Sequence, residues 1–262
     1  MILSVDGLSF SYPSHPVLHD VSFTIGQSDC IAVLGTNGTG KSTLLKCINR
    51  ILKPKAGAVL IDGKSCDALS RLDIAKNIGY VSQYQSLPKI TVFDSVLLGR
   101  KPYIKWDAGE KDLTIVNNAL KELELLDYAM RYTDELSGGE LQKVVIARAI
   151  AQEPKLFLLD EPTSSLDIKN QLDTISVIKT VARKRGIAVI VTMHDINLAL
   201  RFANRFILMK NGRIFGVGGK EIITAKSIEE IYGVKATVYE IDGSMIMIPK
   251  NHEAEFSARK EV

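Results

Sequence analysis

Cysteine is scarce in this chain: Cys30, Cys47 and Cys66 are the three present, and no two form a C-x-x-C pair. No zinc site follows from them, and an odd count leaves one thiol over in any disulfide scheme. Free thiols, buried or partly buried in a reducing cytosol, are the plain expectation. A basic surplus is also missing. Thirty-three Lys and Arg stand against 30 Asp and Glu, and they are dispersed along the chain, so nothing marks a nucleic-acid footprint. Long apolar runs are absent too; IAVIVTM (187–193) is among the longest, far short of the ~18 residues that span a bilayer. The N-terminal MILSVDGLSF has no basic region followed by a long apolar stretch, so no secretory leader is expected. No internal repeat or low-complexity linker stands out.

What is there is ordinary globular composition, 46% apolar and 24% charged. The length permits one large α/β domain or two small ones. Within it, GTNGTGKST (35–43) lies between the apolar run CIAVL and the apolar-periodic LLKCINRIL. Gly35 and Gly40 bracket a loop of small residues, Thr36, Asn37, Gly38 and Thr39, with Lys41, Ser42 and Thr43 following at the G-x-x-x-x-G-K-[ST] spacing. Cys30 to Leu34 reads as a buried strand. From Ser42 onward Leu44, Leu45, Ile48, Ile51 and Leu52 share one helical face. A loop feeding a helix N-terminus favours an anion, because unpaired N–H groups and the positive dipole end meet there. Lys41 would add a point charge on β- and γ-phosphates, and Ser42 a hydroxyl for Mg²⁺. By accident, the pattern is expected in on the order of one chain in a hundred of this length.

The remaining chain alternates between β and helical signals. DG pairs at 6–7 and 62–63 sit between apolar runs and read as hairpins of a small antiparallel sheet; NG at 211–212 and DG at 242–243 read likewise. Residues 91–152 are helical in period. KLFLLD (155–160) and GIAVIVT (186–192) are continuous apolar strands separated by a helix from about Ile168 to Lys184, the pattern of a parallel sheet buried on both faces. A short helix is expected near SIEEIYG.

KLFLLDEP ends in two adjacent carboxylates. Successive strand residues point to opposite sides, so Asp160 and Glu161 do different jobs. Asp160 is placed to hold Mg²⁺ and Glu161 to polarise an attacking water; taken alone, the pair is equally an acidic turn. LSGGE (136–140) opens the helix LQKVVIARAIAQ with Ser137 as N-cap and Glu140 completing a capping box, while Gly138 and Gly139 leave backbone N–H groups open. By itself this is a well-capped helix. Beside the phosphate loop it is a second anion-binding terminus.

GTNGTGKS, LSGGE and FLLDEP, in this order, resemble the phosphate loop, signature and magnesium/base strand of the ATP-binding subunits of ABC transporters, over most of the chain. Thr36 and Thr39 stand where that family often has proline and serine, and neither removes a group the chemistry needs. The resemblance implies an α/β P-loop NTPase fold with a central, mostly parallel sheet, an N-terminal antiparallel β subdomain and a helical insertion. As one domain over 1–262, it divides into antiparallel parts (1–30, 55–70), a nucleotide-binding core (31–54, 75–83, 153–220), a helical part with the signature (84–152) and a C-terminal extension (221–262). Residue by residue, Tyr12 resembles the aromatic that stacks on adenine, Gln83 the glutamine that senses Mg²⁺ and the partner, Ser165, Leu166 and Asp167 the loop crossing the dimer interface, and His194 the γ-phosphate switch. On residue type alone Tyr12 is equally an exposed ring, Gln83 a loop amide and His194 a satisfied strand-end histidine.

Further implications are ATP and Mg²⁺ as ligands, and a head-to-tail homodimer in which each LSGGE covers the ATP held by the other chain. Membrane-spanning permease subunits and, indirectly, a solute-binding protein would be partners, with no nucleic acid. The location implied is the cytoplasmic side of the membrane, peripherally bound. SLPKITVFDSVLLGRKPY and IYGVKATVYEIDGSMIMIP resemble the importer ATPases for ferric siderophores, haem and cobalamin; some relatives of that group carry molybdate or tungstate. A soluble, non-transport ABC ATPase, such as one for iron–sulphur cluster assembly, is the alternative. DNA-repair relatives need a long coiled coil that the roughly 95 residues between Lys41 and Ser137 cannot hold. A GTPase should show N-K-x-D, which the chain lacks. The terminal NHEAEFSARKEV is expected to fray.

Overall fold

The computed structural model describes residues 1–83 and 88–250; the terminal NHEAEFSARKEV lies outside them. The chain opens with β1 (Leu3–Ser11) and β2 (Pro16–Ile25), then the buried β3 (Cys30–Leu34) and α1 (Lys41–Ile48). β4 (Ala56–Ile61) and β5 (Lys64–Ser65) follow, with Asp62-Gly63 making the expected tight turn at φ 51° and 75°. β1, β2, β4 and β5 form an antiparallel sheet in the order β2-β1-β4-β5.

The first DG pair does not turn the chain. Asp6 and Gly7 lie inside β1, a central strand paired with β2 on one side and β4 on the other, and they produce a register shift against both. The Gly7 N–H donates to Ser22 Oγ at 2.8 Å. The pair adds a bulge residue instead of reversing direction, because both neighbouring strands hold the segment extended.

After α2 (Arg71–Asn77) and β6 (Ile78–Val81), a helical stretch runs through α3 (Val92–Leu97), α4 (Glu110–Glu122) and α5 (Gly138–Ala151). β7 (Leu156–Asp160), α6 (Ile168–Arg185), β8 (Ala188–Thr192), α7 (Ile196–Phe202), β9 (Arg205–Lys210) and β10 (Arg213–Gly218) complete the main body. A six-stranded sheet results, ordered β10-β9-β3-β8-β7-β6, parallel except for β10, which returns through the Asn211-Gly212 turn. The chain ends in α8 (Ala225–Tyr232) and the ribbon of β11 (Ala236–Ile241) and β12 (Ser244–Pro249).

Period-2 geometry explains the unbroken apolar strands. Cys30, Ala32 and Leu34 face one core with Phe157, Leu159, Val189 and Val191, whereas Ile31 and Val33 face a second core with Leu156, Leu158 and Ile190. Helices α3 to α7 contribute to the first core; α1 and the antiparallel sheet fill the second. Both faces of the parallel sheet are thus covered and neither tolerates charge.

The helix after the phosphate loop is shorter than its apolar pattern. It ends at Ile48; Arg50 adopts φ 57°, and the Ile51 N–H turns back to Lys46 O at 2.9 Å. Ile51, expected on the buried face, is 54% exposed. All three cysteines are free and buried; burial pushes the thiols up, Cys47 to about 12 and Cys66 to about 11. Among the described residues no helix is long and apolar enough to cross a membrane.

Candidate nucleotide site

The phosphate loop joins β3 to α1 at the carboxyl edge of the parallel sheet, where such sheets bind ligands. Gly35 lies so close to β9 that a Cβ there would sit 2.5 Å from Met209 O. Gly40, the residue before α1, has φ 94°, a conformation side chains disfavour. No side chain caps α1; its free N–H groups are the anion-binding feature. Thr36, Asn37 and Gly38 are exposed at the loop tip, while Thr39 folds back to donate its hydroxyl to Thr36 O at 2.9 Å.

Lys41 is buried, and its ammonium donates to the loop's own carbonyls, Gly35 O at 2.8 Å and Thr36 O at 3.0 Å. Burial pushes this ammonium below the usual lysine value, while the Glu161 and Asp160 carboxylates draw it back up. Tyr12, at the end of β1, packs edge-on against Phe10 with centroids 5.0 Å apart. It shares a cleft of about 220 Å³ with His15, Asn37, Lys41, Ser42 and Glu161.

Asp160 ends β7 and is only 2% exposed. It accepts hydrogen bonds from Ser42 Oγ at 2.8 Å and Thr192 Oγ1 at 2.7 Å, joining the first turn of α1 to the ends of β7 and β8. Glu161 follows at φ 48°, a left-handed backbone rare for a residue with a side chain. That twist swings its carboxylate away from Asp160: Oε2 accepts from Gln83 Nε2 at 2.6 Å, and Oε1 pairs with His194 Nε2. The structure thereby brings Glu161, Gln83 and His194 together. The divergence from Asp160 comes from this left-handed turn just past the end of β7 and not from strand alternation, and Glu161 still lines one cleft with Ser42.

Sequence reasoning missed Thr192. This fully buried hydroxyl donates to Asp160 and accepts the Glu161 N–H at 2.9 Å, so one side chain sets both carboxylates. A hydroxyl closing an otherwise apolar strand just before His194 is the signal that was available. Asp195 was also missed; it caps α7 by accepting from the Leu198 N–H at 3.0 Å, which fixes the chain one residue after His194.

Ser137 caps α5 with a full capping box, donating to Glu140 Oε2 at 2.7 Å through its hydroxyl and at 2.8 Å through its N–H. Asp167 caps α6, accepting from the Asn170 N–H at 2.8 Å. A side chain at Gly139 would strike Asn170 Oδ1 at 2.8 Å, so the signature turn abuts the start of α6. Ser137, Gly138, Gly139, Glu140 and Asp167 line no part of the cleft that holds Tyr12 and the phosphate loop. Gly138 instead lines a second cleft of about 230 Å³ with Gln83, Glu161, Ser164, Ser165 and Leu166. Within one chain the phosphate loop, Tyr12, Asp160, Glu161, Gln83 and His194 gather, and Ser137, Gly138, Gly139, Glu140 and Asp167 stand apart from the phosphate-loop cleft.

A glycine-rich loop feeding a helix, a buried lysine and a paired hydroxyl and carboxylate define a nucleoside-triphosphate hydrolase of the P-loop class. The ABC transporter family matches residues 18–164, and the chain belongs to that family as an ATP-binding, ATP-hydrolysing subunit. It is 51% identical over 249 residues to an uncharacterised ABC transporter ATP-binding protein of Methanocaldococcus jannaschii, covering 95% of this chain and 98% of that protein. It is 40% identical over 227 residues to a phosphonates import ATP-binding protein of Nitratidesulfovibrio vulgaris, covering 83% and 86%. It is 33% identical over 259 residues to the ferric enterobactin transport ATP-binding protein of Escherichia coli, covering 96% and 95%. Among solved structures, an inward-facing ABC transporter assigned to the metal-chelate type superposes at TM-score 0.84, with 32% identity and coverage of 96% and 98%. A dimeric bacterial ABC transporter cassette superposes at 0.73, with 30% identity and coverage of 83% and 98%.

Proposed function

We propose that two identical copies of this chain close head to tail on two ATP molecules, and that hydrolysis lets them part, driving import through a separate membrane permease. The observation that carries this reading is the division of the site. Lys41, Ser42 and Glu161 line one cleft that no residue of 137–140 enters, and Gly138 lines only the neighbouring cleft beside Gln83 and Glu161, which supports a signature that covers a partner's nucleotide.

Within that pair, the N–H groups of residues 37–43 and Lys41 hold the phosphates, and Tyr12 stacks on adenine. Ser42, Asp160 and the Gln83 amide oxygen offer oxygen donors alone, the set that Mg²⁺ prefers. Among the described residues no group of three or more His, Cys, Asp and Glu could hold a metal. An ion held at Ser42, Asp160 and Gln83 would take one carboxylate, one hydroxyl and one amide oxygen from protein and the rest from phosphate and water. Such an ion neutralises phosphate charge when bound. Glu161 is the base that takes a proton from the attacking water, with Gln83 and His194 orienting its two oxygens. Asp167, with Ser165 and Leu166, lies at the interface between copies.

The permease reading is supported by an open cleft of about 560 Å³ lined by Arg50, Ile51, Arg71, Ile74, Tyr80 and Gln152. Ile51, 54% accessible, lines it, suiting a protein surface at the membrane's cytoplasmic side. For cargo, the metal-chelate class is supported by coverage: siderophore relatives match 94–96% of this chain and the phosphonate relative 83%. Substrate would be selected by the permease and a solute-binding protein.

The test is purification from membranes followed by reconstitution. The chain is expected to co-purify with a membrane-spanning partner, and vesicles holding both, with the cognate binding protein, should take up ferric siderophore, haem or cobalamin only with ATP at the cassette side. Recovery with soluble assembly factors alone would overturn the importer reading, and uptake of phosphonate would replace the cargo class.

A further inference from the structure

The C-terminal ribbon belongs to neither large sheet. Its register runs from Ala236↔Pro249 to Ile241↔Ser244, and residues opposite one another in such a pair point to the same side. One side lies on the body of the protein: Ala236 is buried, and Met245 and Met247 pack against the larger core. The other side presents Thr237, Tyr239, Ile241, Ser244, Ile246 and Ile248, without a single charge. Tyr239, Ile241 and Ile248 are 49%, 50% and 47% exposed. A ribbon that ended in water would carry charge on its open face. Here Glu240 is on the inner face and Asp242 in the turn.

One attachment of the ribbon leads to the nucleotide site. Asn197 occupies the two backbone groups of Met247, donating Nδ2 to its O at 3.0 Å and accepting its N–H at 2.8 Å. Asn197 is in the first turn of α7, three residues after His194. The preceding helix α8 is tied to β9 by Lys210–Glu230 at 3.2 Å, and Tyr232 at its end packs against the larger core. The extension is therefore fastened to β9 and to the switch helix, an element of the edge on which a second copy closes in the proposed dimer.

We propose that the outward face of this ribbon is a second contact between two copies of the chain, packing ribbon against ribbon when the ATP-bound pair closes. The proposal stands on the dimer reading above. A two-fold axis running beside the ribbon would set the patch against its own copy, which an uncharged apolar face tolerates. The patch can cover only on the order of a few hundred Å², against roughly 800 Å² per partner in a stable interface. It cannot hold two chains alone. It adds to a pair already joined through nucleotide, so the contact depends on ATP.

Single cysteines at Tyr239→Cys and Ile248→Cys test this in the Glu161→Gln chain, with Cys30, Cys47 and Cys66 buried and out of reach. Oxidation should link two chains with Mg-ATP and not with ADP. Tyr239→Glu with Ile248→Glu should raise the dimer dissociation constant about tenfold while leaving nucleotide affinity of the single chain unchanged. Suppose gel filtration shows a normal ATP-dependent dimer whose ribbon cysteines stay open to maleimide and whose charged variant assembles as before. The sandwich then stands and the ribbon contact is refuted. Protection of those cysteines only when permease is present would give the face to the permease and refute the contact too. Absence of any dimer, alone or on the permease, would remove the dimer reading and this inference together.

Discussion

Thr192 Oγ1 donates to Asp160 Oδ1 at 2.7 Å, across the boundary between β8 and β7. The same oxygen accepts the Glu161 N–H. Thr192→Val keeps the shape and removes both bonds, leaving a buried N–H unpaired at a cost of about 1–3 kcal/mol. Turnover at saturating ATP should fall on the order of tenfold, with nucleotide affinity changed much less. Thr192→Ser should restore it. Phosphate release alongside urea unfolding checks the pair; full turnover in the valine variant would remove Thr192 from the site.

Glu161→Gln retains the shape of the side chain and the nucleotide contacts but abolishes the base. Hydrolysis should drop by roughly 10²–10⁴-fold, ATP binding should persist, and dimer should accumulate on gel filtration. Wild-type turnover would assign the proton transfer elsewhere.

Lys41→Ala should weaken ATP binding on the order of a hundredfold, about 3 kcal/mol, since it strips the counter-charge from a buried phosphate. The natural chain carries a pH signature as well. Burial lowers the Lys41 value in the folded chain, so ATP affinity should be full below that lowered value and fall as pH rises through it, on the acid side of 10.5. Stability of the nucleotide-free chain runs the opposite way, because the unfolded lysine holds its proton longer and folding gains as pH rises between the two values. Titration calorimetry across alkaline pH reads the first effect, and Lys41→Ala should lack the limb.

Arg100 is 2% exposed and holds Asp112 and Glu153, each at 2.8 Å, with its guanidinium over the Tyr103 ring. Arg100→Ala leaves charges unpartnered and should cost about 3–5 kcal/mol in chemical unfolding. The Arg100 hydrogen bond holds the Asp112 carboxyl below its usual range. That stabilisation is present above the unfolded carboxylate value and is lost as pH falls through the folded one. The acid side of the stability curve should therefore be flatter in the variant.

Local physics made much of this molecule legible in sequence. Ser137 could be read as a cap because a cap is a matter of three or four neighbouring residues, and β3, β7 and β8 as strands because burial on both faces leaves few polar positions. Asp62-Gly63 and Asn211-Gly212 turned as expected since their flanks are edge-paired strands. Asp6-Gly7 has the same local chemistry and failed as a turn, because strands on both sides hold it straight. Ile51 failed as a core residue because the helix stopped one turn early, at Ile48, and Arg50 turned the chain away. Arg100 gave no local sign of burial; partners 12 and 53 positions away create its environment. Thr192 stood in a strand legible as buried, but its partners, 31 and 32 positions away, were not legible.

The groups assembled at the carboxyl edge hang from adjacent strands of one sheet whose two faces are both filled. Their spacing is consequently inherited from the backbone lattice and not from any contact with cargo. Whatever solute such a machine serves, the combustion chamber need not be rebuilt to change it; innovation is confined to the outer surfaces, where a new companion can be fitted without retiming the stroke.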